Sequence, residues 1–369
     1  MSELGEFPDL ETSERTGQMR EPRRMTPPVR FGVAHDFRCP PGSDYALRDV
    51  YAQTIEQIAR LDELGLDEVW FSEHHFVDDG YLPSFAPVAG AAAAVTKRMR
   101  ISTNIAIVPF SHPLRLAEDL AVLDQLSGGR IEFGVGLGYA PHEFRGFGFP
   151  ISHRVSLTEE CVDILRLAWS GERFSYAGKR YHFDDVRVTP DPVQSGGPPL
   201  WMAVSSRPGV ERAVRLGTHV LPQGPASLLD GWREQSLAAG ADPSSRRIGI
   251  IRSFLVTEDR DRDWPPLRAA ERYRMGVYGR FAEEAGTGDA RTFNDPDRIT
   301  QRVFVGNVDE CVDELTSFIQ RYGLTDVVTW GSAPGLQPAA LTASMERFAA
   351  EVVPQVRSRL ASTTDPRPR

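Results

Sequence analysis

The chain has 369 residues, a formal net charge of −9 and 41% hydrophobic residues, enough apolar material for one large α/β barrel or two average domains. The acidic balance argues against nucleic acid or an anionic membrane as a partner, because both need a basic face, and no apolar run approaches the ~20 residues of a membrane span. Three scattered cysteines (Cys39, Cys161, Cys311) form no disulfide framework and point to a reducing cytoplasm. Lysine occurs only as Lys97 and Lys179, and there is no His-x-His or Cys-x-x-Cys pair, which speaks against Schiff-base chemistry and a dedicated metal site.

Residues 1–28 are mixed in charge, lack the apolar core of a signal peptide and read as a mobile tail. Val29–His35 then reads as a strand, and Tyr45–Leu64 as a helix with Tyr51, Ile55, Ile58 and Leu61 on one face. Gly65 closes that helix ahead of a second strand, Glu68–Ser72. The alternation continues with helix Phe85–Thr96, strand Ile101–Val108, helix Leu114–Leu126, strand Ile131–Val135 and helix Ser156–Trp169. Arg173–Val188 alternates aromatic and polar residues around Ala177-Gly178, the pattern of an inserted hairpin. Strand Leu200–Val204, helix Val210–Leu216, strand Val220-Leu221, helix Leu228–Ala239 and strand Ile248–Val256 follow. A charged tract, Glu258–Arg302, reads as a solvated, partly mobile excursion and a candidate substrate cover. Helix Asp309–Tyr322, strand Asp326–Trp330 and helix Ala339–Val353 complete the pattern, and 358–369 reads as a second tail.

Eight strand–helix units in alternation demand a parallel sheet with right-handed crossovers, and eight favour closure. The expected architecture is an α/β, (β/α)8 TIM barrel over 29–357 with a hairpin insertion and a long late excursion, and its functional groups belong at the carboxyl ends of the strands. Those ends carry His35-Asp36, Glu73-His74-His75, Asn104 to His112, Gly134 to Tyr139, Ser205-Ser206-Arg207 and Trp330-Gly331-Ser332. Adjacent side chains diverge at a strand end, so His74 and His75 suit one pocket-facing acid/base and one structural residue, or two strand caps bonded to loop carbonyls. Gly134-Val135-Gly136-Leu137-Gly138-Tyr139 departs from the dinucleotide fingerprint and suits a tight turn. Ser205-Ser206-Arg207-Pro208-Gly209 offers hydroxyls, a guanidinium and free backbone N–H groups where a helix begins, either a phosphate site or an ordinary capped helix.

Taken together, Val69–Phe76, Ile105–Pro109 with Ser111-His112-Pro113, Leu123–Arg130 with Phe133–Gly136, and Glu143–Gly148 resemble the bacterial-luciferase-like flavin monooxygenase family, in order and at its spacing. The resemblance spans about Arg30 to Arg357 and implies a barrel, usually homodimeric, that holds FMN at its mouth. It makes His74 the catalytic histidine. It places the flavin ring beside Asn104, Ile105 and Ala106, where relatives often carry a non-proline cis peptide, near Gly136, Leu137 and Gly138. The phosphate falls at Ser205, Ser206, Arg207 and Gly209. His35 and Trp330 are candidates for the substrate pocket, and no metal is implied.

Where luciferase has a reactive cysteine and a phosphate-binding arginine, this chain has Gly136 and Leu137, so light emission is not implied, and Arg207 is a candidate replacement cation. The chemistry implied is oxygenation of a small organic substrate by dioxygen through a flavin 4a-(hydro)peroxide, by hydroxylation or Baeyer–Villiger-type insertion. Reduced FMN would come from a separate NAD(P)H-dependent flavin reductase, because no nicotinamide-binding unit is present in the sequence. The alternatives are a deazaflavin-dependent hydride-transfer oxidoreductase and a non-catalytic flavin-binding protein, with a metal-dependent hydrolase more distant.

Overall fold

The computed structural model describes residues 28–364; the expected amino-terminal tail, apart from Pro28, and the last five residues of the carboxyl-terminal one lie outside them. Strands β1 (Arg30–His35), β2 (Glu68–Phe71), β3 (Arg100–Thr103), β4 (Ala106–Ile107) and β5 (Phe133–Gly136) alternate with helices α1 (Leu47–Glu63), α2 (Phe85–Val95) and α3 (Pro113–Ser127). Helices α4 (Pro141–Phe147) and α5 (Arg154–Ala168) come next, then the hairpin β6 (Phe174–Ala177) and β7 (His182–Val186). Strand β8 (Leu200–Val204), helix α6 (Arg207–Leu216), strand β9 (His219–Pro222) and helix α7 (Ser227–Ala238) follow. Strands β10 (Gly249–Ile251) and β11 (Ser253–Val256) lead into helix α8 (Arg260–Glu284), and β12 (Val303–Gly306) and β13 (Asp326–Trp330) complete the strands.

The fold is α/β, built on two parallel half-sheets. One runs β10-β13-β1-β2-β3 and the other β4-β5-β8-β9, and single parallel bridges, Ile101 to Ile131 and Val220 to Ile248, join their edges. Alternation along the strands separates two cores. Phe31, Val33, Val69, Phe71, Phe133 and Val135 pack outward against the helices. Ala34, Trp70, Trp201, Leu221 and Val328 pack inward on one another. The amino-terminal end is floored by charge: Arg30 meets Glu132 at 2.7 Å and Asp326 at 2.5 Å, and Arg247 meets Asp326 at 2.8 Å. The opposite end holds the candidate site.

The hairpin stands where the alternation places it, and the Glu160 carboxylate pins it to α5 by accepting from the amides of Lys179, Arg180 and Tyr181. Two expectations are corrected. The Glu258–Arg302 tract is no solvated excursion: most of it is the 25-residue helix α8, with Trp264, Leu267, Ala270, Glu271, Arg274 and Phe281 buried. Arg274 and Glu284 pair across the fold, with Asp36 and with His142 and Arg145, while Arg260, Arg268, Arg272 and Arg280 line the face that stays in water. The carboxyl-terminal tail does not begin at 358, because a helix continues from Val353 to Thr364. Among the described residues no helix is long and apolar enough to cross a membrane.

Candidate active site at the carboxyl ends of the strands

Past β2 the inward alternation passes through Trp70 and Ser72 and delivers His74 to the mouth. Its Nδ1 lies 2.9 Å from Oε1 of Glu143, and the same oxygen accepts the backbone N–H of His75 at 2.8 Å. Glu143 stands in the first turn of α4, where a negative charge is favoured by the helix dipole, and it is wholly buried. Burial alone would raise its pKa; the charge and hydrogen bond of His74 and the amide of His75 outweigh it and hold the carboxyl below its usual range. An ionised Glu143 accepts from Nδ1–H, and in the neutral ring this puts the lone pair of His74 on Nε2. His75 turns away to a carboxylate of its own: its Nε2 is 3.0 Å from Glu73, which also accepts the amide of Ile107.

Helix α8 supplies the roof. The rings of Tyr278 and Phe281 lie 5.9 and 5.1 Å from that of His74, while Tyr81 and Tyr139 meet it edge-on at 4.9 and 5.9 Å. Hydroxyls of Ser72, Tyr81 and Tyr278 form a chain with steps of 2.7 and 2.8 Å. Burial pushes the phenols of Tyr81 and Tyr278 up, so both stay protonated at neutral pH. Arg274 anchors the helix: it donates to Asp36 at 3.2 Å and to the carbonyl of Ser332 at 2.7 Å, pairs with Glu271, and stacks 4.1 Å over Trp330.

The Asn104–Ile105 peptide is cis. Ala106 and Ile107 pair with Val135 and Gly136, which brings Asn104, Ile105 and Ala106 beside Gly136, Leu137 and Gly138. A Cβ on Gly136 would stand 2.0 Å from Cδ1 of Ile105, so the missing side chain is what lets Ile105 occupy this place. Nδ2 of Asn104 is buried with no hydrogen-bond partner among the described residues. The β5–β8 pairing sets Ser205 and Ser206 one strand further round, where Ser206 caps α6 without using its side chain. Gly209 is buried in that first turn. The exposed Arg207 guanidinium pairs with Glu211 at 3.2 Å on the helix surface.

Of the pocket candidates, Trp330 stands at the mouth beneath Arg274, whereas His35 lies on the outer side of β1. A Cβ on Gly331 would fall 2.5 Å from the His35 ring and 2.9 Å from Gln57 of α1. Sequence reasoning passed over Glu143, Tyr81, Arg274, Tyr278 and Phe281. The signal for Glu143 was present, an acid just after the glycine turn in a motif otherwise aromatic and basic; Arg274 and Tyr278 sat unmarked in a charged tract.

Residues 29–326 match the family described as luciferase-like monooxygenase. Protein y4wF of Sinorhizobium fredii (strain NBRC 101917 / NGR234) is 32% identical over 216 residues, covering 57% of this chain and 63% of that one; the match thus spans less than two thirds of that relative. The oxygenase component of flavin-dependent trigonelline monooxygenase from Acinetobacter baylyi (strain ATCC 33305 / BD413 / ADP1) is 24% identical over 329 residues, 83% of this chain and 90% of that one. Among solved structures, the oxygenating constituent of 3,6-diketocamphane monooxygenase from the CAM plasmid of Pseudomonas putida, in complex with FMN, superposes with a TM-score of 0.74 at 21% identity, over 89% of this chain and 99% of that one. That last likeness is one of fold.

Proposed function

The chain belongs to the luciferase-like monooxygenase family, and from that premise we propose that it is an FMN-dependent monooxygenase, with its two half-sheets closed as one (β/α)8 barrel. It takes reduced FMN from a separate reductase and inserts one atom of dioxygen into a small organic substrate. The observation that carries this reading is the buried His74–Glu143 pair at the mouth, next to Asn104–Ala106 and Gly136–Gly138. The residues present fit the cofactor: the unpartnered Nδ2 of Asn104 is a donor for a polar ring edge. The uncommitted Ser206 side chain and the start of α6 suit a phosphate. Arg207, paired on the surface, is the weakest member of that set.

Reduced FMN, when bound, supplies the activation of dioxygen. This chain orients, shields and moves protons. Glu143 fixes the tautomer of His74, whose Nε2 takes a proton from, or returns one to, a reacting oxygen; a base placed in this way typically contributes about 10²–10⁴-fold. Tyr278 and Phe281 close the roof and exclude water. The test is oxygen uptake and product formation with FMN, NADH and a flavin reductase, in wild type and His74→Ala. Substrate-dependent uptake lost in H74A with FMN binding retained supports the reading. Turnover with a deazaflavin but not with FMN overturns it.

A further inference from the structure

Where strands β8 and β9 begin, at the opposite end of the sheets from His74, a cleft of about 180 Å³ opens, lined by Arg166, Trp169, Pro199, Gly217, His219 and Arg246 among others. Three of these residues are basic, and no carboxylate is in the lining. The acids of the neighbourhood are engaged elsewhere. Asp326 takes Arg30 and Arg247, Glu132 takes Arg30 and Arg100, and Glu159 takes Arg212 and Arg215. Asp163, exposed on α5, acts on Arg166 from outside the lining and is shared with Arg215.

The donors of the cleft stay open. Nη2 of Arg166 donates to the carbonyl of Leu216 at the end of α6, and its other two nitrogens have no partner among the described residues. The Arg246 side chain has neither a hydrogen bond nor an ion pair among them, and a Cβ on Gly217 would stand 3.1 Å from its Nη2. Both guanidinium groups thus meet at the end of α6. They are close enough to repel: burial lowers the pKa of Arg166, and Arg246 adds to this against the pull of Asp163. On a third side, Nδ1 of His219 accepts the amide of Arg247 at 3.2 Å. Burial keeps that ring neutral, so its proton is on Nε2, a further donor.

Arg166 alone suffices to close α6. Arg246 brings only repulsion to the protein by itself, and an anion between the two turns that repulsion into attraction. The cleft is smaller than the roughly 300–1,000 Å³ of cofactor pockets, which suits an ion and not a nucleotide. Two guanidinium forks and an N–H from a third direction match a tetrahedral oxyanion. We propose that this cleft is an anion site for inorganic phosphate, held by Arg166, Arg246 and Nε2 of His219. It lies at the opposite end of β8 from Ser205 and Ser206, so it is independent of the flavin reading.

The test is equilibrium dialysis of the purified full chain against radiolabelled phosphate at constant ionic strength, in wild type, Arg246→Gln and Ser206→Ala. Wild type should bind phosphate, with sulfate competing and chloride not. R246Q, which removes no bond within the fold, should weaken binding by about tenfold, and S206A should keep it. No bound phosphate, binding unchanged in R246Q, or displacement by chloride at equal ionic strength overturns the proposal. Binding lost in S206A and kept in R246Q would put the phosphate at α6, which leaves the flavin reading standing and removes this one.

Discussion

One oxygen of Glu143 serves two neighbours, the Nδ1 of His74 at 2.9 Å and the backbone N–H of His75 at 2.8 Å. A single buried carboxylate thus sets both the ring orientation of His74 and the turn that presents it. Glu143→Gln keeps the size and an acceptor but removes the charge. Product formation should fall by about tenfold or more, while FMN affinity stays within about twofold of wild type. A parallel loss of FMN binding would make Glu143 a structural residue only.

The phosphate assignment at α6 separates FMN from riboflavin. Ser206→Ala should weaken FMN by about tenfold, one charge-assisted hydrogen bond, and leave riboflavin unchanged. Equal weakening of both, measured by flavin fluorescence titration, would move the phosphate elsewhere.

Two glycines in one turn have different roles. A Cβ on Gly134 would lie 2.0 Å from the backbone oxygen of Thr103, whereas one on Gly136 clashes with the Ile105 side chain, at 2.0 and 2.8 Å, and clears the backbone, with the Ala106 oxygen at 3.4 Å. Gly134→Ala should destabilise the fold by ~3 kcal/mol or more. Gly136→Ala should fold normally and lose FMN affinity, because Ile105 is pushed from its place. Denaturant midpoints and FMN titration on the two variants check this, and unaltered FMN binding in G136A would count against the cradle.

Acid should unfold the protein through histidines held neutral. Burial, assisted by Arg274, pushes His35 down to about 3, and burial pushes His219 down to about 4. Both folded values lie below the ordinary 6.5, so the unfolded chain binds more protons between about pH 4 and 6.5. Stability therefore falls as pH drops through that window, by at most ~1.4 kcal/mol per pH unit for each histidine. His35→Gln should flatten the dependence in urea melts from pH 7 to 5; an unchanged slope would contradict the assignment.

Removing the anchor of α8 should be costly. Arg274→Met takes from the buried Glu271 its ion-pair partner and leaves Asp36 with only Arg38, at 3.8 Å, a loss of ~3–5 kcal/mol, and should loosen α8. Limited proteolysis reads this directly: cleavage within 260–284 should appear in R274M and be absent in wild type. Equal resistance would mean that other contacts hold the helix.

The repeating part of the architecture was legible in the sequence because each strand–helix unit carries its own period and its own punctuation. The left-handed Gly128 ending α3, at φ 67°, is one example. The side of β1 on which His35 lies was not legible: its place at a strand end made it a pocket candidate, and only the inward packing of Ala34 beside it shows that it faces the helices. Nor was the roof. Arg274 meets Asp36 across 238 positions, and nothing local distinguishes a buried ion pair from a solvated charge in a tract as polar as Glu258–Arg302. Strand β12, four residues beside that tract, was lost for the same reason, because only its pairing with β11 identifies it.

The central claim is transfer of one oxygen atom at the His74 mouth. Its most direct test is mass spectrometry of products formed under ¹⁸O₂ with FMN, NADH, a flavin reductase and a panel of phenols, ketones and aldehydes. The account predicts a single ¹⁸O atom in the product, and its loss in H74A. A product formed without label, or equal labelling in H74A, would contradict it.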